Sequence, residues 1–134
     1  RVLRAPNVLL VQLKRFTSFG SKIRTPVNME LNLRLDRFMY QPGDCCLYQL
    51  NAVIEHMGGG VDHGHYIAMV RGFDGKNWHL FDDDESRPIS TSALNQRQAY
   101  LMVYTKRDVR PMLPNGMNGK ICDPRPKAAS YEGC

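Results

Sequence analysis

Two residues of this chain, His65 and Asp82, have the chemistry of a proton relay. A carboxylate bonded to one imidazole nitrogen fixes the tautomer, leaves the other nitrogen free to take a proton, and stabilises the cation that results. Such a pair acts first as general base and then as general acid for a nucleophile. A structural histidine satisfied at a strand end is the plain alternative. Against it stands the Gly-rich stretch Met57-Gly58-Gly59-Gly60-Val61-Asp62, which leaves the ring at a concave terminus that a substrate backbone can approach closely. Metal ligation is a third reading. His63 and His65 form an H-x-H pair, with His56 upstream and Asp82, Asp83 and Asp84 nearby. His63 falls in the loop, however, and no third ligand has a characteristic spacing, so no metal is expected. Cys45 and Cys46 fall in a turn, without the helix N-terminus that lowers a thiol pKa, and read as ordinary small residues beside a strand. The pair therefore has no nucleophile of its own.

The elements that must position the pair read mostly as strands. Lys76 to Asp82 and Gly64 to Arg71 flank the turn Gly72-Phe73-Asp74-Gly75. If those four residues are the hairpin loop, Met69 falls opposite Trp78, Ile67 opposite Leu80, and His65 opposite Asp82. That register matches apolar with apolar twice, as a half-buried face requires. A turn centred on Asp74-Gly75 would instead put Ile67 opposite Asp82 and Arg71 opposite Trp78, a poorer match. In both, His65 and Asp82 share a face, while Asp83 and His79 point to the other. Upstream, Val8 to Phe16 begins as a continuous apolar run, suited to a strand buried on both faces at its start. Thr17-Ser18-Phe19-Gly20-Ser21 is a turn cluster, and a weak extended stretch with Ile23, Val27, Leu31, Leu33 and Leu35 follows. Gln41-Pro42-Gly43-Asp44 is a second turn. Tyr48 to Glu55 is a clear strand with Tyr48, Leu50, Ala52 and Ile54 on one face. A short helix is expected from Ser92 to Gln98, capped by Thr91, and a last strand from Ala99 to Lys106.

The 134 residues suit one domain. Residues 1–107 form the structured part, and 108–134, with four prolines, read as a disordered basic tail. No apolar run approaches the roughly 20 residues of a membrane span, no secretory signal is evident, and the start at Arg1 reads as a fragment or processed product. Four cysteines without a C-x-x-C pair suggest reduced thiols of the cytoplasm or nucleus rather than a zinc site. The net charge of +5 is weak support for nucleic-acid binding, since no aromatic–basic stripe accompanies it.

Around His65 and Asp82 the sequence resembles the C-terminal half of a ubiquitin-specific protease catalytic domain. Pro6 to Phe16 is similar to the family's P-x-x-L-x-x-x-L-K-R-F strand, and Lys22, Ile23 and Val27 to its K-I-x-x-x-V. Tyr48 to Gly58 resembles Y-x-L-x-A-V-x-x-H-x-G, and Gly64-His65-Tyr66-Ile67-Ala68 resembles G-H-Y-x-A. Trp78 to Asp83 resembles W-x-x-F-D-D, and Ala99 to Tyr104 resembles A-Y-x-L-x-Y. The matches run in order through the whole structured part. The resemblance implies an α+β, papain-like cysteine peptidase, of which this chain is the antiparallel β-sheet palm. It implies hydrolysis of the bond after ubiquitin's C-terminal glycine, with ubiquitin and ubiquitin-conjugated proteins as partners and no cofactor. His65 would be the general base and acid, Asp82 its orienting carboxylate, and Asp83 a supporting group. Gly58, Gly59, Gly60, Gly64 and Tyr66 would border the channel for ubiquitin's tail, with Thr17 to Arg24 as a second loop over it. Lys14 and Arg15 are assigned a structural role. The family's G-N-T-C-Y-x-N nucleophile box has no match here, nor have its zinc-binding C-x-x-C pairs. The helical thumb and the cysteine are expected upstream of Arg1, and the chain alone is expected to be inactive. The alternative is a catalytically dead ubiquitin-binding or scaffold module.

Overall fold

The computed structural model describes residues 1–41, 46–60 and 63–107. The expected tail 108–134, the Pro42-Gly43-Asp44 part of the second turn, and Cys45 lie outside the described residues. Strands β1 (Val8–Gln12), β2 (Asn32–Arg34), β3 (Leu47–Met57), β4 (His65–Arg71), β5 (Trp78–Asp82), β6 (Glu85–Ile89) and β7 (Ala99–Lys106) form one sheet. The order is β1-β7-β3-β4-β5-β6, with β2 paired to the start of β3, and each pairing is antiparallel. Two short 3-10 helices, Asp36–Phe38 and Thr91–Gln96, complete the described elements. This is the expected mostly antiparallel palm. No helix of the described residues is long and apolar enough to cross a membrane.

The core lies on one face of the sheet. Tyr48, Leu50 and Val53 of β3, Ile67 and Met69 of β4, Trp78 and Leu80 of β5, and Met102 and Tyr104 of β7 build it. Met29, Leu35 and Met39 cover one end, and Leu94 of the second 3-10 helix joins them. Each fully buried large side chain, such as Leu50 or Met69, contributes roughly 1.5–3 kcal/mol by leaving water. Tyr48 and Tyr104 are buried without orphaned hydroxyls, donating to the carbonyls of Pro6 (2.6 Å) and Glu30 (3.0 Å).

Several expectations give way here. β1 is an edge strand, with β7 its one ladder partner among the described residues; Leu9 and Val11 are half-buried against the core on one face, and Val8 and Leu10 are exposed on the other. The buried face of β3 does not run through Tyr48, Leu50, Ala52 and Ile54. A bulge between Leu50 and Ala52 shifts the strand by one residue, so burial passes from Tyr48 and Leu50 to Val53 and Glu55. The β4–β5 register is the one that sequence matching ranks second: Arg71 pairs with Trp78, Val70 with His79, Met69 with Leu80 and Ala68 with Phe81. The loop therefore starts one residue later, between Gly72 and Asn77, whose N–H and C=O close it at 2.7 Å. Asp74 Oδ1 accepts the amides of Lys76 (2.9 Å) and Asn77 (3.0 Å), and Gly75 takes the left-handed φ of 69°. Arg71 opposite Trp78 is no mismatch. Its guanidinium lies 5.0 Å from the ring centroid, and it donates to the carbonyls of Leu50 and Gly75, both at 2.9 Å. β6 was not expected at all, and the 3-10 helix begins after Ser90 rather than Thr91, without a side-chain cap.

Candidate functional site

His65 opens β4 and Asp82 closes β5, so both stand at the same end of adjacent antiparallel strands. Alternation puts His65 on the face of Ile67 and Met69, and Asp82 on the face of Trp78 and Leu80. The pair thus continues the core layer to its rim. In the observed register the two are diagonal rather than directly opposed, a separation that long side chains span. His65 Nε2 donates to Asp82 Oδ1 at 2.5 Å. This fixes the tautomer with the lone pair on Nδ1. The side chains are 40% and 45% exposed, so a reacting group can reach that nitrogen.

Asp83 departs from its expected direction. Asp82 pairs with Glu85 across the two-residue turn Asp83-Asp84, and Asp83 adopts φ 48°. The left-handed turn ends strand alternation and brings its Oδ2 to 4.0 Å from His65 Nδ1. The hydrogen bond to Asp82 foremost, and then the Asp83 charge, hold the His65 imidazole above its ordinary value of 6.5. His65, Asp82 and Asp83 also place potential metal-ligand atoms within 4.8 Å of one another. Two facts weigh against a cation there. All three side chains are open to water, and one His65 nitrogen already holds Asp82. His56 and His63, candidate ligands by sequence, are not part of this group.

The Gly-rich segment is fastened, not loose. Gly60 bridges to Ser21, and the Lys22 amide donates to Gly59 O at 3.2 Å. The Thr17–Ser21 turn is itself closed by Gly20 N–H to Thr17 O at 3.0 Å. Val61 and Asp62 lie outside the described residues. Gly64 has a steric reason: a Cβ there would lie 2.0 Å from His56 Nε2 and 2.7 Å from Met57 O. Tyr66 stands on the opposite face of the sheet from His65 and is 54% exposed. It belongs to an aromatic group with His56 (4.8 Å between centroids), Tyr100 (5.9 Å) and Phe16, which meets His56 edge-on at 5.3 Å. Sequence reading missed this group; the glycine directly before His65 was the available signal of a close approach. Arg15 is structural as expected, buried and donating to the carbonyls of Ala99 (2.9 Å) and Thr25 (2.5 Å). Cys46 is buried at 1% exposure, which removes it as a nucleophile for His65.

A palm-like antiparallel sheet with a histidine–carboxylate pair at one strand end defines the class, and comparison with known proteins supplies the family. The family model "Ubiquitin carboxyl-terminal hydrolase" matches residues 1–104, and the chain belongs to that family. It is 34% identical over 109 residues to the probable ubiquitin carboxyl-terminal hydrolase 16 of Schizosaccharomyces pombe, covering 79% of this chain and 24% of that protein. It is 39% identical over 110 residues to ubiquitin carboxyl-terminal hydrolase 12 of Saccharomyces cerevisiae, covering 76% and 8%. Among solved structures it resembles the SAGA Ubp8/Sgf11/Sus1/Sgf73 DUB module, with a TM-score of 0.69 and 33% identity over 76% of this chain and 24% of that one. The same module bound to ubiquitin aldehyde gives 0.68 and 30%, covering 76% and 25%. The chain therefore spans about a quarter or less of the length of these relatives.

Proposed function

We propose that this chain supplies the base and the orienting carboxylate of a thiol-dependent deubiquitinase that cleaves the bond after ubiquitin's C-terminal glycine. The observation that carries the reading is the His65 Nε2–Asp82 Oδ1 bond, with Nδ1 turned out toward an open strand end in a chain of this family. Cys46, the one cysteine among the described residues, is buried and not placed to use that nitrogen, and no stretch of the sequence matches the family's nucleophile box, so the nucleophile is assigned to a segment outside these residues. Nδ1 takes the proton of that cysteine, and the thiolate attacks the glycine carbonyl. The imidazolium then gives the proton to the departing lysine amine, leaving a thioester that water cleaves with His65 again as base. Asp82 holds the ring, and the Asp83 carboxylate adds negative potential beside the imidazolium. Gly58 to Gly60, Gly64 and Tyr66 form the rim over which the tail of ubiquitin passes. Cytoplasm and nucleus, where thiols stay reduced, are the fitting compartments.

The test is turnover of a fluorogenic ubiquitin C-terminal amide. The 134-residue chain alone should be inactive. The same residues joined to a cysteine-bearing upstream segment should be active, and His65→Ala should remove at least about 100-fold of that activity. Turnover by the isolated chain, or near-normal rates for His65→Ala, would reject the assignment.

A further inference from the structure

We propose that Lys22 is a positioning residue for His65, acting through the carbonyl of His56 and the Gly-rich loop that reverses the chain into β4. The proposal rests on the reading of His65 as general base. Three consecutive glycines, Gly58 to Gly60, have the greatest backbone freedom of any sequence and cannot hold one path unaided. Here they are held from outside, by the Ser21–Lys22 segment. The Lys22 amide bonds Gly59 O, Ser21 bridges Gly60, and Lys22 Nζ donates to His56 O. Lys22 also bridges to Phe16, which anchors it to the segment after β1 that carries Arg15. One residue therefore grips the reversal twice, by its side chain at the last turn of the β3 ladder and by its main chain inside the loop.

The path from there to the site is short. His56 pairs with Tyr66 in the β3–β4 ladder, on the residue next to His65. The His56 ring lies directly beneath Gly64, where even a methyl group has no room. Holding His56 thus sets the height of the Gly64 backbone, and Gly64 sets where His65 leaves the strand. The ammonium is not an idle surface charge. It is partly withdrawn from water, and this desolvation foremost, with Arg24 beside it, holds its pKa below 10.5. Its bond goes to a carbonyl, so what it secures is backbone geometry.

The experiment compares Lys22→Met, which keeps the stem and removes the donor, with Lys22→Arg, which keeps a donor, in the longer protein that carries these residues. Lys22→Met should lower kcat on the fluorogenic ubiquitin amide about tenfold or more, since small misplacements of a base are costly, and leave KM within about threefold. Lys22→Arg should recover most of the loss. Hydrogen exchange should quicken at Gly58 to Gly64 in Lys22→Met and stay unchanged in Trp78–Asp82. Wild-type kcat in Lys22→Met overturns the proposal. So does a loss that Lys22→Arg fails to relieve, or one accompanied by faster exchange in every strand. Absence of turnover in the unaltered protein would refute the reading of His65 instead, and the exchange comparison would still decide whether Lys22 orders the loop.

Discussion

Replacing Gly64 with alanine puts a methyl group where one hydrogen stood, and the surroundings cannot absorb it. The new Cβ would sit 2.0 Å from His56 Nε2, 2.4 Å from His56 Cε1 and 2.7 Å from Met57 O. Ordinary contact between such atoms is about 3.5–4.0 Å, so the imidazole would have to retreat by roughly 1.5 Å. It has nowhere to go, because the Phe16 and Tyr66 rings pack against it at 5.3 and 4.8 Å between centroids. The Met57 carbonyl belongs to β3 and cannot swing aside. The backbone of Gly64 must move instead, and His65 moves with it. Overpacking of this kind costs about 1–3 kcal/mol, and a displacement near 1 Å at a catalytic group costs about 100-fold in rate. Gly64→Ala should therefore lower the urea midpoint measurably and cut turnover of a fluorogenic ubiquitin amide by about two orders of magnitude. In a His56→Ala background the ring atoms are gone but Met57 O remains, so the penalty of Gly64→Ala should shrink without vanishing. A Gly64→Ala protein with the parent's midpoint and rate would refute the steric argument. An undiminished penalty without the His56 ring would show that the wrong atoms have been blamed.

Two further predictions concern charge. Because Asp82 and then Asp83 raise the His65 pKa above 6.5, the NMR titration of its ring should fall on Asp82→Asn and fall by less on Asp83→Asn. A raised folded-state pKa means the stabilisation is fully present below pH about 6.5 and fades as pH rises through the folded value. Urea midpoints measured from pH 5 to 9 should show that decline in the parent and a flatter profile in Asp82→Asn. Arg71→Lys removes the fork that binds Leu50 O and Gly75 O and weakens the stack on Trp78. It should cost about 1–2 kcal/mol in chemical denaturation. The kinetic constants should stay unchanged, since six residues of strand, about 20 Å, separate Arg71 from His65.

The pairing of His65 with Asp82 was legible because it depends on parity alone. Both hairpin registers weighed from the sequence differ by two residues in the sum of their partners, and a shift of two leaves every side chain on its face. The true register was ranked lower because apolar matching ignores what Arg71 does on an indole, and because the Asp74 side chain builds the turn from Lys76 and Asn77 amides. Asp83 was misplaced because alternation stops where φ turns positive. β6 was invisible for a different reason. Glu85-Ser86-Arg87-Pro88-Ile89 has no apolar alternation and contains a proline, a composition that suits an exposed edge and little else. The order of motifs read in the sequence agreed with the family, while the aromatic packing beneath Gly64 depended on residues far apart in the chain, Phe16, His56 and Tyr100.

The bulge in β3 has a reading-frame character. Leu50 pairs with Tyr104 and Ala52 with Val103, which leaves Asn51 as a supernumerary residue on the β7 ladder. Asn51 Nδ2 fixes that extra step to Thr105 Oγ1 at 2.5 Å. Ahead of it, even-numbered positions point into the core; beyond it, Val53 lies opposite Met69, Glu55 opposite Ile67 and Met57 opposite His65 on the inner layer. Deleting Asn51 would iron out the bulge: Leu50 and Val53 would both stay inward, one outward residue apart, with their pairing to β7 kept. The bulge is thus a spare step in the frame, and deletion of Asn51 should be tolerated better than deletion of Ile54, which would put Glu55 and the residues after it out of phase with β4.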